Sequence, residues 1–231
     1  MPAVVTIDGP AGSGKSTVAR RLAGVLGFAY LDTGAMYRAV AYAARQAGLQ
    51  PEQTDAITGL LAALKLDIRC TPSHVHVMLD DHDVSEAIRA PEVSELTARI
   101  AQINPVRESL ILLQRKIANE SGRIITDGRD QGTVVFPNAM CKFLLVANIT
   151  SRAERRFHEL RADGVHIDLI QVQQSIAQRD ARDAHRWAAL LDREDVTQID
   201  TSNLTIDGVV GLMYPVVLHR LEDREPPRLF Q

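Results

Sequence analysis

The chain has 231 residues, of which 45% are hydrophobic and 24% are charged, and its formal net charge is −3. This composition excludes a disordered chain, and the lack of a basic surplus argues against a protein that binds nucleic acid or anionic membranes. No stretch reaches the ~18 apolar residues of a membrane helix, and no basic segment precedes the first apolar run. We therefore expect a globular protein of the cytoplasm.

Apolar runs separated by turn residues predict alternating strands and helices in the first part of the chain. The pattern predicts a strand over 3–8, a helix over 15–26, a short strand over 28–31, and helices over 34–47 and 53–65. Between 66 and 84, apolar and polar residues alternate, which predicts a small antiparallel hairpin or meander. Helical patterns resume from 91 to 117, and Pro105 is expected to begin a new helix.

The second part of the chain continues the alternation of strands and helices. It predicts strands over 123–127, 140–146 and 196–200, polar arginine-rich helices over 151–162 and 169–182, and a last helix over 205–222. Because strands separated by helices pair in parallel through right-handed crossovers, we expect an α/β fold with a parallel sheet.

A glycine-rich segment after the first predicted strand carries the clearest chemical signal. Residues 9–16 match the pattern G-x-x-x-x-G-K-[ST], and they lie between a predicted strand and a predicted helix. Its glycines let backbone N–H groups converge on phosphate oxygens at a helix N-terminus. Lys15 is suited to bridge the β- and γ-phosphates, and the Ser16 hydroxyl is suited to Mg²⁺. The segment therefore predicts binding of a nucleoside triphosphate.

Two further polar segments follow predicted strands and are expected at the same edge of the sheet. Residues 32–38 follow the predicted strand over 28–31, and residues 127–130 follow at the end of the predicted strand over 123–127. Since parallel strands end at a common edge, Arg38 and Arg129 are expected opposite the nucleotide phosphates. No N-K-x-D-like guanine motif of a switch GTPase is present. A second anion site facing the first is typical of a small kinase.

Arginine is unusually frequent: only four of the 26 basic residues are lysines, so 22 are arginines. Seven of them lie between residues 152 and 186, and Arg179, Arg182, Asp183 and Arg186 share one helix face. A genome-wide codon bias and a solvated helix face would both explain part of this count. A solvated face does not need arginine specifically, so a phosphate-binding lid is the preferred interpretation.

These segments together resemble the bacterial cytidylate kinases, a family of nucleoside monophosphate kinases. The resemblance rests on residues 7–17, 31–38, 127–137 and 179–186, with support from 83–93 and 106–108. The run G-R-D-x-G-T-V-V-F-P is specific to that family, whereas the glycine-rich segment alone is not. The resemblance implies transfer of the γ-phosphate of ATP, with Mg²⁺, to CMP or dCMP.

The resemblance also implies a three-layer P-loop kinase fold within a single domain over 1–231. That fold has a five-stranded parallel sheet with helices on both faces, a small antiparallel β insertion and a helical lid. The core would comprise 1–65, 100–150 and 190–231, the monophosphate-binding insertion 66–99 and the lid region 151–189.

Position-to-position matching assigns roles to single residues. It implies ATP contacts by Gly9, Pro10, Ala11, Gly12, Ser13, Gly14, Lys15, Ser16, Thr17, Arg152 and Arg156. It implies CMP contacts by Thr33, Tyr37, Arg38, Arg107, Arg129, Asp130, Arg179, Asp183 and Arg186. The catalytic group would be Lys15, Arg129, Arg156 and Arg182, and Ser16 would ligate Mg²⁺, with Asp127 acting through water.

The chemistry of cytosine agrees with these assignments. A carboxylate such as Asp130 can accept a hydrogen bond from the C4 amino group of cytosine but would face a carbonyl oxygen in UMP. No general base is needed, because the attacking oxygen belongs to an already ionised phosphate. The sequence departs from the family at Ala98, where serine is usual, at Gln131, and in the segment after Arg186.

Two other functions stay open at this level: a P-loop kinase of another small acceptor, such as another nucleotide or a shikimate-like acid, and a nucleotide-binding module without transfer activity. The partners expected are small molecules, with no nucleic acid and no membrane, and the protein is expected to be a monomer. His74, His76 and His82 could ligate a metal, but a polar outer face beside an acidic turn is the preferred interpretation.

Overall fold

The computed structural model describes residues 1–162, 164–191 and 193–224, with residue 185 described by its backbone alone. Its main sheet has five strands, β1 (Ala3–Asp8), β2 (Ala29–Asp32), β6 (Arg123–Gly128), β7 (Cys141–Val146) and β8 (Thr197–Asp200). All neighbours pair in parallel in the order β2-β6-β1-β7-β8. The structure thus confirms the expected parallel α/β sheet, and each predicted strand lies within about a residue of its expected bounds.

Eight α-helices accompany the strands in the part of the chain that the structure describes. They are α1 (Lys15–Leu26), α2 (Thr33–Gln46), α3 (Thr54–Ala63), α4 (Pro91–Ile100), α5 (Asn104–Ser121), α6 (Ile149–Ala162), α7 (Leu169–Ala188) and α8 (Ile206–Glu222). Pro105 lies in the first turn of α5, as predicted, because a proline there forfeits no helical hydrogen bond. None of the described helices is long and apolar enough to cross a membrane.

Alternate residues of the central strands pack into two separate hydrophobic cores, one on each face of the sheet. Val4 and Ile124 pack with α2, α3, α4 and α5 on one face, whereas Val5, Ile7 and Ile125 pack with α1 and α8 on the other. This alternation follows from the two-residue period of a strand. It produces the three-layer arrangement that the resemblance implies, with helices on both faces of the sheet.

The inserted region between α3 and α4 forms a second, antiparallel sheet. Its strands are β3 (Leu66–Cys70), β4 (Val75–Leu79) and β5 (His82–Asp83), in that spatial order. Ile68, Val77 and Leu79 are buried in the same core as α2 and α4. The predicted meander is confirmed, and its buried face attaches it to the main body.

Helices α6 and α7 pack as a pair above the sheet edge. Ala153 of α6 contacts Val172 and Ile176 of α7 in a small apolar cluster of their own. Helix α7 begins at a capping box formed by Asp168 and Gln171 and extends to Ala188, six residues beyond the prediction. The helix has few large apolar residues after Ile176, so hydrophobic periodicity alone predicted a C-terminus that was too early.

Candidate active site

A cleft of about 810 Å³ opens at the carboxyl edge of the main sheet. The register places Asp8 beside Gly128, and Asp32 beside Asp127, so the segments after β1, β2 and β6 emerge together. Helices α6 and α7 cover one side of the cleft, and α4 and the start of α5 form its far wall. This is the position at which ligands bind in open parallel sheets.

The P-loop between β1 and α1 forms one end of the cleft. Gly9, Gly12 and Gly14 have φ angles of +145°, +77° and +86°, a region that other residues rarely adopt. A Cβ at Gly9 would lie 2.1 Å from the carbonyl oxygen of Leu145, so the loop needs glycine there for space as well. Its curvature and the N-terminus of α1 make an anion-binding cradle.

Lys15 begins α1 and lies against the loop. Its Nζ donates to the carbonyl oxygen of Pro10 at 2.9 Å, and the residue is only 7% exposed. Burial, and next the positive charge of Arg129, lower the pKa of Lys15 well below its usual value. A polyanionic ligand in the cleft would oppose both effects, since it supplies the counter-charge that the buried ammonium lacks.

Asp127 lies at the floor of the cleft beside the P-loop. Its Oδ2 accepts from the Ser16 hydroxyl at 2.6 Å, and its Oδ1 accepts from the Tyr30 hydroxyl at 2.9 Å. Burial, and next the neighbouring Asp32, raise the pKa of Asp127. The hydroxyl of Ser16 and this carboxylate are hard oxygen donors of the kind that Mg²⁺ prefers, so they fit such an ion.

Across the cleft, two arginines are each held by a carboxylate. Arg38 Nη2 lies 2.8 Å from Asp32 Oδ2, and Arg129 Nε lies 3.5 Å from Asp183 Oδ2 of α7. Neither contact uses all the N–H groups of its guanidinium, so each arginine has donors left for a ligand. The structure thus brings Arg38 and Arg129 to the cleft that the P-loop enters, as the sheet topology predicted.

At the far end of the cleft, Arg107 of α5 donates to the carboxylate of Asp130. Both side chains are largely buried, at 18% and 11% exposure. Arg186 of α7 donates to the Gln102 side chain at 3.0 Å and to the Ala101 carbonyl at 3.3 Å. This end of the cleft therefore carries an ordered set of donors and acceptors rather than a diffuse charge.

Three further arginines of α6 and α7 also line the cleft. Arg156 pairs with Glu159 at 2.9 Å, and Arg182 donates to the Gln178 carbonyl at 3.2 Å. The Arg179 side chain is exposed, but it lies between the walls of the cleft. Enclosure by these walls lowers its pKa, and the positive charge of Arg129 lowers it further. Asp183 already offsets part of this positive charge, and an anionic ligand in the cleft would offset more of it.

The other predicted contact residues divide between the cleft wall and its support. On the wall lie Ala11, Gly12, Gly14, Thr17, Thr33 and Tyr37, together with Ala98. Thr33 donates to the Asp127 carbonyl at 2.7 Å. The residues that line the cleft do not include Gly9, Pro10, Ser13 or Arg152.

Arg152 supports the P-loop from behind. Its Nη1 donates to the Ala11 carbonyl at 3.0 Å, its Nε donates to the Ala147 carbonyl at 3.0 Å, and its Nη2 lies 2.6 Å from Asp180 Oδ2. A Cβ at Gly12 would be 3.1 Å from the Cβ of Arg152. These contacts tie Arg152 to the backbone of the P-loop.

Sequence reasoning missed the carboxylates that hold these arginines, namely Asp32 and Asp180, and the amide of Gln102. Asp32 had a local signal, because its Oδ1 accepts from the Ala35 N–H at 2.9 Å as an N-cap of α2. Asp180 and Gln102 meet their partners only through tertiary packing, so no spacing in the sequence pointed to them. In the described residues, no group of three or more His, Cys, Asp or Glu side chains is placed to hold a metal ion.

A P-loop facing a wall of arginines beneath a helical cover defines a P-loop phosphotransferase of the small-molecule kinase class. Within that class, the chain belongs to the cytidylate kinase family, whose model matches residues 5–218. Cytidylate kinases of Syntrophotalea carbinolica and Geobacter sulfurreducens are each 42% identical to it, over 97% and 94% of this chain and 96% and 93% of their own lengths.

This chain is also similar to a longer bifunctional protein and to a solved structure of a different kinase. The bifunctional pantoate ligase/cytidylate kinase of Synechocystis is 44% identical over 90% of this chain, which corresponds to 41% of that longer protein. A gluconokinase structure from Sinorhizobium meliloti covers 96% of this chain and 95% of its own, with a TM-score of 0.50 and 12% identity. The likeness to the gluconokinase concerns the fold alone.

Proposed function

We propose that this chain transfers the γ-phosphoryl group of ATP to CMP or dCMP and releases ADP and CDP or dCDP. Membership of the cytidylate kinase family supports this function. The observation that carries it is the single cleft that joins Lys15 of the P-loop to the buried Arg107–Asp130 pair at the opposite end. One cleft of this kind can hold a triphosphate and a monophosphate nucleotide in line.

The acceptor base is proposed to bind at the Arg107–Asp130 end. Cytosine offers a C4 amino donor for the carboxylate of Asp130, while its O2 and N3 accept from guanidinium groups such as that of Arg107 or Arg186. Uracil would place a carbonyl oxygen against the same carboxylate. A buried acceptor that faces another acceptor is costly, so the pair favours cytosine.

The transferred group is proposed to lie between the P-loop and the arginines of the opposite wall. Arg38 and Arg129 hold the acceptor phosphate, whose ionised oxygen attacks the γ-phosphorus directly. Lys15, with Arg156 and Arg182 of the lid, neutralises the charge that spreads over the equatorial oxygens. The contribution of the protein is therefore positioning and charge neutralisation, without proton abstraction by a side chain.

Mg²⁺ is proposed to be held at Ser16, with Asp127 acting through water. Bound there, it would neutralise charge on the β- and γ-phosphates of ATP. Asp127 is held by Ser16 and Tyr30 on its two oxygens, so its carboxylate has a fixed orientation before any nucleotide arrives. Tyr30 and Thr33 therefore act by orienting this carboxylate and its backbone.

Helices α6 and α7, which form most of the proposed lid over 151–189, are expected to enclose the nucleotides during transfer. Enclosure keeps water from competing as the phosphoryl acceptor. We further propose that residues 66–99 form the monophosphate-binding insertion on a core of 1–65, 100–150 and 190–231. The protein is proposed to work as a monomer in the cytoplasm, with small-molecule partners only.

The experiment that tests this function measures ADP release with ATP, Mg²⁺ and one acceptor at a time. The acceptors are CMP, dCMP, UMP, AMP and shikimate, and a sample without acceptor gives the background. CMP or dCMP should give the highest kcat/KM. A higher value with shikimate or AMP would identify another kinase, and ADP release no faster than background with every acceptor would leave a nucleotide-binding module.

A further inference from the structure

Asp8, the last residue of β1, is a buried carboxylate that the proposed mechanism does not use. It has no exposed surface, and it is absent from the residues that line the cleft. Its Oδ1 accepts from the backbone N–H of Gln131 at 2.9 Å, and its Oδ2 accepts from the backbone N–H of Gly132 at 2.8 Å. Both oxygens are thus committed to one short segment that lies 123 and 124 residues further along the chain.

That segment is an unusual helical turn over residues 131–135. The N–H groups of Val135 and Phe136 bond the carbonyls of Asp130 and Gln131, five residues earlier, which gives a wider turn than an α-helix. Short turns of this kind need outside support, because their own hydrogen bonds are few. Asp8 supplies that support by satisfying two N–H groups at the start of the turn.

The fit between the carboxylate and the turn depends on close approach. A Cβ at Gly132 would lie 3.0 Å from Thr6 Oγ1 and 3.4 Å from Asp8 Oδ2, so glycine lets the backbone come near. The Gln131 side chain folds back over Gly128 and accepts from the Thr126 hydroxyl at 2.9 Å. Side chains of both β1 and β6 therefore hold the turn against the sheet.

The position of Asp8 in the chain links this turn to the P-loop. Asp8 immediately precedes Gly9, the first residue of the P-loop, and the turn immediately follows Arg129 and Asp130. The Asp8 carboxylate therefore connects the start of the P-loop directly to the segment that follows the two residues proposed to contact the acceptor. Any shift of the turn moves Arg129 and Asp130 relative to the donor phosphates.

We propose that Asp8 is a positioning residue that sets the geometry of Arg129 and Asp130 relative to the P-loop, by holding the N–H groups of Gln131 and Gly132. This inference rests on the proposed function, because it assigns Arg129 and Asp130 to the acceptor. It predicts that loss of the carboxylate weakens acceptor recognition more than ATP recognition, since the P-loop keeps its own glycine geometry and its contact with Arg152.

The test replaces Asp8 by asparagine, which keeps the shape but turns an amide NH₂ toward one of the two N–H donors. We expect the KM for CMP to rise about tenfold or more, as one buried N–H loses its acceptor, while the KM for ATP changes by about twofold or less. We also expect the ratio of kcat/KM for CMP over UMP to fall, because Asp130 loses its fixed position.

The matched control is Thr6→Val, two residues earlier on the same strand. Thr6 is equally buried, and its hydroxyl has no hydrogen-bond partner in the structure, so both KM values should stay unchanged. A second variant, Gly132→Ala, leaves Asp8 intact but pushes the turn away from it. This variant should show the same selective rise in the KM for CMP, and it keeps the inference testable where Asp8→Asn fails to fold.

Two outcomes would overturn the inference while leaving the proposed function intact. One is an equal rise in the KM for CMP and for ATP in a folded variant, which would indicate a general structural role. The other is unchanged KM values in both Asp8→Asn and Gly132→Ala. Failure of the wild-type chain to release ADP with either CMP or dCMP would instead refute the proposed function itself.

Discussion

Replacing Asp130 by alanine is expected to lower activity with CMP far more than activity with UMP. In the wild-type cleft, the carboxylate lies in a largely buried pair with Arg107. The variant loses the acceptor for the C4 amino group of cytosine, a hydrogen bond to a charged group worth about 1.5–3 kcal/mol. At 1.4 kcal/mol per tenfold, that is a loss of about 10- to 150-fold in kcat/KM for CMP.

The same substitution acts differently on UMP. Its C4 carbonyl no longer faces a carboxylate, so the loss of Asp130 removes an unfavourable contact along with the Arg107 partner. The disturbance of Arg107 is common to both substrates and cancels in the ratio of their kcat/KM values. We therefore expect the preference for CMP over UMP to fall by at least about tenfold.

The assay is steady-state ADP release with each acceptor at saturating ATP. A suitable control is Asp67→Ala, which removes an exposed carboxylate paired with Arg69 on the antiparallel sheet. Exposed pairs of this kind contribute about 0–1 kcal/mol, so the control should keep the wild-type preference. Equal losses of CMP and UMP activity in Asp130→Ala would show that this carboxylate does not read the base.

Three further predictions concern the donor side, the lid and the buried carboxylate. Lys15→Ala should reduce kcat by about 10²–10³-fold or more with an unchanged circular dichroism spectrum; retained turnover would remove the P-loop from the mechanism. Asp180→Asn removes the charged partner of Arg152, and Arg152 in turn supports the P-loop at Ala11. The KM for ATP should therefore rise by about tenfold. An unchanged KM for ATP would contradict this supporting role of Asp180. Burial raises the pKa of Asp8 from 3.8 to about 6. The native state therefore binds a proton at this group more tightly than the unfolded state does. The stability that Asp8 contributes is present below about pH 4 and is lost as the pH rises through about 6. The free energy of unfolding of wild type relative to Asp8→Asn, measured by urea titration, should thus fall by about 2 kcal/mol between pH 4 and 7. A constant difference would refute the assignment.

The parts of the site that could be predicted from sequence are those in which one contiguous segment determines the geometry. The P-loop is an example, because its glycines, Lys15 and Ser16 follow one another between a strand and a helix. Arg38 and Arg129 could be placed for a related reason. Parallel strands end at one edge, so residues that directly follow them must meet there.

The parts that could not be predicted depend on contacts between distant segments. Arg152 is expected to contact ATP, but the groups that hold its side chain in this structure, Asp180 and the Ala11 carbonyl, lie elsewhere in the chain and could not be predicted from spacing. The wide turn over 131–135 gives no periodic signal, because its geometry depends on the distant acceptor Asp8. Family resemblance supplied roles for residues at such positions but not the side chains that hold them.

The central claim is that one cleft serves ATP at the P-loop and a cytosine monophosphate at the Arg107–Asp130 end. The measurement that tests it most directly is ADP release by the wild-type chain with CMP, dCMP, UMP, AMP and shikimate compared under the same conditions. CMP or dCMP should give the highest kcat/KM, and UMP should be turned over less efficiently. Release of ADP that does not depend on CMP or dCMP would contradict the central claim.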